Sequence, residues 1–178
     1  PQVWAWRQGR ARKIGRACDL VLCLLPFETA FYSRHGVHAA FVGHPLADQI
    51  PLEVDRAAAR AALGLDDAAT VLALLPGSRV GEIERLAADF LAAAAWLAER
   101  RPGLTFIAPM ATARARETFE RKQAEVPAAP PILLVEGRAQ QALAACDAAI
   151  VASGTATLET LLSRRPMVVA YRLGALTA

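Results

Sequence analysis

The sequence predicts an α/β protein of two successive units, each a parallel sheet covered by helices. Three observations predict it. Short apolar runs alternate with helical segments along the whole chain, the best of those runs are continuously apolar, and a proline-marked stretch interrupts the alternation between residues 46 and 54. Strands buried on both faces read as continuous apolar runs. A parallel pair needs a crossover long enough to hold a helix.

In the first unit, Val21 to Leu25 is a compact apolar run stopped by Pro26, and Glu28 to Arg34 can form a short helix closed by Gly36. Ala39 to Val42 is a second short strand, stopped by Gly43-His44-Pro45. Leu46 to Val54, bracketed by Pro45 and containing Pro51, reads as an interdomain connection. The expected division is therefore 1–45, linker 46–54 and second unit 55–178, with a cleft between the units.

Asp55 is a suitable N-cap for an alanine-rich helix ending at Gly64. Thr70 to Leu75 is the next strand, followed by a long helix from about Gly81 to Arg100 with Ile83, Leu86, Phe90, Ala94 and Leu97 on one stripe. Pro102-Gly103 ends it. Leu104 to Ala108, Ile132 to Val135, Ala148 to Ala152 and Met167 to Tyr171 read as strands, and Thr112 to Glu125, Gln140 to Ala145 and Ala156 to Leu162 as the helices between them.

Bulk properties bound the function. With 178 residues, 54% apolar and 21% charged, the chain reads as one globular domain or parts of two, not a disordered tail. A net charge of +3 with a pI near 9.1 is too small a bias to argue nucleic acid. Cys18, Cys23 and Cys146 lack the paired spacing of a zinc or disulfide framework, which fits a reducing cytoplasm. Apolar runs such as Leu20 to Phe27 fall short of the roughly 20 residues that cross a bilayer. Beginning at Pro1 and stopping just after a strand-like run, the chain is expected to be a fragment cut at both ends.

Two turns carry the chemistry. In open parallel sheets ligands bind beyond the carboxyl ends of strands, where loops lead into helix N-termini. Leu75-Pro76-Gly77-Ser78-Arg79 offers a glycine, a hydroxyl, the unpaired N–H groups of the following helix and a guanidinium suited to phosphate oxygens. The same tetrapeptide also suits a plain strand-to-helix turn with a solvated arginine. Ser153-Gly154-Thr155-Ala156 follows a strand and can present backbone amides to a diphosphate. Glu159 lies four residues after Thr155, on the same helical face and one turn behind that site, where a ribose would sit; a first-turn acid favoured by the helix dipole is the plain alternative. Together the turns favour nucleotide binding.

Competing signatures are missing: the sequence has no G-x-x-x-x-G-K-[ST], G-x-G-x-x-G, G-x-S-x-G or H-E-x-x-H. His35, His38 and His44 straddle a turn and a strand, so a structural role is expected for each, with His44 the one placed toward the expected cleft. The segment Val3-Trp4-Ala5-Trp6-Arg7, followed by Arg10, Arg12, Lys13 and Arg16, is either a solvated basic face or a rim for anionic lipid substrates. Trp4 and Trp6 would share one side of an extended segment, where core packing explains them at least as well as ligand stacking.

Val3-Trp4-Ala5-Trp6-Arg7, Leu24-Leu25-Pro26-Phe27-Glu28, Gly43-His44-Pro45, Leu74 to Arg79 with Glu82 and Glu84, Val151 to Glu159 and Pro166-Met167-Val168-Val169 together resemble the lipid-A-disaccharide synthase family, in order and along nearly the whole chain. The resemblance implies a glycosyltransferase of the GT-B type with two Rossmann-like units, both incomplete here. It implies transfer of 2,3-diacylglucosamine from UDP-2,3-diacylglucosamine to 2,3-diacylglucosamine 1-phosphate (lipid X), releasing UDP and forming a β-1,6 disaccharide. Gly77, Ser78, Arg79, Ser153, Gly154, Thr155 and Ala156 would hold the diphosphate, and Glu159 the ribose. Trp6, Arg7 and His44 would lie on the acceptor and lipid side. The resemblance further implies no metal or other cofactor, no nucleic acid, and work on the cytoplasmic face of a Gram-negative inner membrane. It leaves the oligomeric state open. The family's general base would precede Pro1, so the chain alone is expected to be inactive. Another UDP-sugar enzyme of this type, such as a UDP-N-acetylglucosamine epimerase, is the nearest rival; a basic nucleic-acid- or lipid-binding module is the non-enzymatic one.

Overall fold

The computed structural model describes residues 3–172. The chain divides into two compact units, Pro1–Gln49 and Ile50–Ala178, a boundary that falls inside the proline-marked stretch. Residues 173–178 of the expected second unit lie outside the described residues.

The first unit contains helices α1 (Val3–Trp6), α2 (Arg10–Ala17), α3 (Pro26–Arg34) and α4 (Leu46–Gln49), with strands β1 (Val21–Cys23) and β2 (Ala39–Phe41). The two strands pair in parallel, Val21 opposite Ala39 and Cys23 opposite Phe41, across the α3 crossover. Val3, Ala11, Val21, Cys23, Phe31, Tyr32 and Val37 close a small core. Residues 3–6 form a helical turn, which corrects the extended reading. Trp4 packs edge-on against Phe27 with ring centroids 5.0 Å apart, and its indole donates to the Glu28 carboxylate at 3.0 Å. Trp6 points away and is 87% exposed. A helical turn rotates residues two apart to different faces, so the tryptophans do not share a side.

The second unit contains α5 (Arg56–Leu63), β3 (Thr70–Leu75), α6 (Val80–Arg100), β4 (Leu104–Met110), α7 (Ala113–Ala124), β5 (Ile132–Glu136), α8 (Ala139–Ala145), β6 (Ala148–Ala152), α9 (Thr155–Leu162) and β7 (Met167–Ala170). Local signals set many of these limits. Asp55 caps α5 by accepting from the Ala58 N–H at 2.9 Å, left-handed Gly64 closes it, and Thr112 caps α7 by accepting from the Ala115 N–H at 3.1 Å. Strand β4 runs two residues past its expected end, through Pro109. There it pairs only with β5, because the β3 ladder has stopped at Ile107, and a proline is tolerated on such a half-free stretch.

The five strands are parallel in the order β5-β4-β3-β6-β7. Alternation along β3 sends Leu74 into a core with Ile83, Phe90, Phe106 and Phe119, against α6 and α7. Val71, Ala73 and Leu75 go to the other face with Ile107, Leu143 and Val151, against α5 and α8. Each fully buried Phe or Leu contributes about 1.5–3 kcal/mol relative to exposure. From β3 the chain builds outward through β4 and β5, then returns through α8 to place β6 on β3's other side. The β3/β6 junction is therefore where the winding direction reverses. At the opposite edge from the strand carboxyl ends, Asp147 fixes this junction: its carboxylate accepts from the Val71 N–H at 2.8 Å and from the buried Arg60 guanidinium at 2.8 Å.

Candidate functional site

At a winding reversal the two flanking strand-to-helix turns diverge to opposite faces and leave a crevice at the carboxyl edge of the sheet. A cavity of about 590 Å³ occupies this position, a volume typical of small-molecule sites. Gly77, Ser78 and Arg79 from the turn after β3 line it, together with Ser153, Gly154, Thr155, Ala156 and Glu159 from the turn after β6 and the first turns of α9. All eight residues read from the sequence as a nucleotide site thus meet on one cavity. Six further residues line it without a role read from the sequence: Pro109 and Met110 at the end of β4 with Ala111 just after, Gly137 and Ala139 between β5 and the start of α8, and Glu82. The Gly137 N–H donates to the Met110 carbonyl at 2.9 Å.

The two turns end differently. Among the described residues no side chain caps α9. Gly154 stands at its N-cap in extended backbone, and Ser153, Gly154 and Thr155 are exposed, leaving the positive end of the helix toward the cavity. Thr157 keeps its hydroxyl on the Gly154 carbonyl at 2.6 Å, which stabilises the first turn without covering its N–H groups.

The turn before α6 is closed. Glu82 Oε2 accepts from the Ser78 N–H at 3.0 Å and the Arg79 N–H at 3.3 Å, while Oε1 accepts from Arg79 Nη1 at 3.0 Å. This corrects the expectation of unpaired amides here, because the helix supplies its own carboxylate at the third position. Gly77 has φ of +125°, and a Cβ built on it would lie 2.6 Å from Glu82 Cβ and 2.7 Å from Oε2. Its missing side chain makes room for Glu82 to fold back. Burial alone would push the Glu82 carboxyl up, but the two backbone N–H groups and the Arg79 guanidinium outweigh it and hold the group below its ordinary range. The Arg79 side chain is 83% exposed, so most of its fork faces solvent at the cavity rim.

The residues expected on the lipid side belong to the first unit. Trp6 and Arg7 are exposed, and His44 is half-buried with its Nδ1 accepting from the Leu46 N–H at 3.2 Å, an engagement that starts α4. Among the described residues no cluster of three His, Cys, Asp or Glu side chains could hold a metal, and no helix is long and apolar enough to cross a membrane.

A parallel sheet with its cavity at the winding reversal defines a doubly wound α/β protein. The crystal structure of the glycosyl transferase family 9 protein from Veillonella parvula shares the fold, with a TM-score of 0.51 at 14% identity over 91% of this chain and 60% of that one. The family model described as Lipid-A-disaccharide synthetase matches residues 1–178, and the chain belongs to that family. It is 58% identical over 178 residues to the lipid-A-disaccharide synthase of Pseudomonas aeruginosa strain LESB58, covering 99% of this chain and 47% of that protein. Its identity to the Pseudomonas putida KT2440 enzyme is 58% over 177 residues (99% and 46%), and to the Azotobacter vinelandii enzyme 56% over 178 residues (99% and 47%). The chain spans about half the length of these relatives.

Proposed function

We propose that this chain supplies the UDP-sugar-binding half of a lipid-A-disaccharide synthase. The enzyme would transfer 2,3-diacylglucosamine from UDP-2,3-diacylglucosamine to lipid X, inverting the anomeric carbon and releasing UDP. The observation that carries the reading is the convergence of the β3 and β6 turns, with Glu159, on one cavity at the winding reversal. The open α9 N-terminus receives the diphosphate on its amides, the Arg79 fork engages phosphate oxygens, and Glu159 accepts from the ribose hydroxyls. These groups offset the charge that develops on the departing UDP, so the reading asks for no metal. Trp6, Arg7 and His44 stay assigned to the acceptor and lipid side, and the whole enzyme to the cytoplasmic face of the inner membrane. The 178 residues alone are expected to form no disaccharide.

Calorimetric titration of the full-length protein with UDP tests the site. Saturable binding weakened by Arg79→Ala and by Glu159→Ala is expected, and unchanged binding in both variants removes the assignment. Supplying acylated and non-acylated UDP-glucosamine in turn tests the substrate: consumption of only the non-acylated sugar would favour a different UDP-sugar enzyme.

A further inference from the structure

The turn before α6 contains an arrangement that the sequence does not disclose and that diphosphate binding does not require. A phosphate-binding turn needs donors, yet here a carboxylate occupies the α6 N-terminus and takes two backbone N–H groups and one guanidinium nitrogen. The same device occurs in the first unit, where Glu28 Oε2 accepts from the Leu24 N–H at 3.1 Å and the Leu25 N–H at 3.0 Å. There the third donor is the Trp4 indole and the carboxylate is 8% exposed, so the clamp serves only to hold a strand-to-helix turn. In the second unit that third donor is a cation at a cavity rim.

We propose that Glu82 is a positioning residue that aims the Arg79 guanidinium into the cavity and closes the α6 N-terminus, so that the diphosphate is received on α9. This rests on the donor-site reading above. An exposed arginine loses rotamer freedom when it is fixed. Holding one Nη in advance means that part of this ordering is complete before ligand arrives. The remaining guanidinium donors stay available to phosphate oxygens, since Glu82 engages Nη1 alone. Gly77 belongs to the device: a side chain there would collide with Glu82 Cβ. The lowered Glu82 pKa keeps the carboxylate charged throughout the neutral range.

The test is a double-mutant cycle in the full-length enzyme, reading UDP affinity by calorimetry with kcat and KM alongside. Glu82→Gln keeps a carbonyl that can accept from the two backbone N–H groups but gives up the ionic hold on Arg79. Its expected result is a melting temperature within a few degrees of wild type and UDP binding weakened about tenfold, the size of one charge-assisted hydrogen bond. In an Arg79→Ala background the same change is expected to cost nothing further. Wild-type affinity in Glu82→Gln overturns the proposal, as does an equal loss in both backgrounds, which would mark a purely structural clamp. Tighter UDP binding also overturns it, because Glu82 would then be a competitor for the phosphate. Arg79→Lys, which leaves Glu82 untouched, is a second probe that retains the charge and loses the planar fork. Its UDP affinity is expected to fall between wild type and Arg79→Ala, and full wild-type affinity would overturn the proposal. Wild-type affinity in Arg79→Ala itself removes the donor-site reading and this inference together, whereas a loss there without one in Glu82→Gln removes the inference alone.

Discussion

The turns after β3 and β6 sit side by side, end strands of the same sheet and line the same cavity, yet one is locked and the other is open. In the first, an internal carboxylate satisfies the helix N-terminus and a glycine with positive φ gives it room. In the second, glycine stands in extended backbone, and among the described residues nothing lies within 4 Å of a built Cβ and no side chain caps the helix end. The difference teaches that a glycine-bearing turn before a helix is not in itself an anion receptor. What decides is whether a side chain from the helix has already claimed the amides.

The largest effect should come from the cation that the locked turn displays. Arg79→Ala in the full-length enzyme is expected to lower turnover about a hundredfold, or ~2.7 kcal/mol, as for loss of one preorganised donor to a developing anion. Steady-state disaccharide formation measures it, and a loss below threefold would place the cation outside the site.

Gly77→Ala attacks the lock itself. Positive φ and the collision with Glu82 should together destabilise the 178-residue chain by roughly 2 kcal/mol, read from its urea midpoint. A neutral result would mean that Glu82 can relinquish the turn without cost.

Glu159→Ala is expected to weaken UDP about tenfold (~1.4 kcal/mol) while leaving inorganic pyrophosphate binding unchanged, because the acid is assigned to the sugar and not to the phosphates. Equal losses for both ligands would instead mark Glu159 as a support for α9.

Acid separates the turns more gently. Because the folded-state pKa of Glu82 is depressed, its stabilisation is fully present above the unfolded value and is lost as pH falls through the folded one. The Ser78 and Arg79 amide resonances should hold steady from neutrality through the ordinary carboxylate range and shift only below it. A titration within the ordinary range would show the lock to be weaker than its geometry.

Gly154→Ala should be the mildest in stability, within about 0.5 kcal/mol of wild type by the same urea midpoint, since neither backbone nor neighbours oppose a methyl group. A cost comparable to that of Gly77→Ala would erase the distinction between the turns.

Much of this architecture is local and could be read along the chain. Thr70–Leu75 and Ala148–Ala152 are strands with the expected limits, because each is a continuous apolar run bounded by polar or turn-forming residues. Asp55, Gly64 and Thr112 bound their helices because capping depends on groups three or four residues apart. The small residues of both site turns were legible for the same reason. The Val3–Trp6 turn was misread because four residues carry too little periodicity to separate a helical turn from an extended segment, and the packing of Trp4 on Phe27 and Glu28 decided it.

The sequence by itself therefore determined most of the strands and longer helices, the caps at Asp55 and Gly64, and where the two turns fall along the chain, all of which rest on interactions within a few residues. Only the tertiary structure decided that β6 lies beside β3, which makes two turns about 75 residues apart one site. That adjacency depends on long-range burial, with Val71, Leu75 and Val151 sharing one core, and on Asp147 reaching Val71 and Arg60. No local pattern encodes it, because strand order is chosen by the free energy of the whole packed sheet and not by any segment alone.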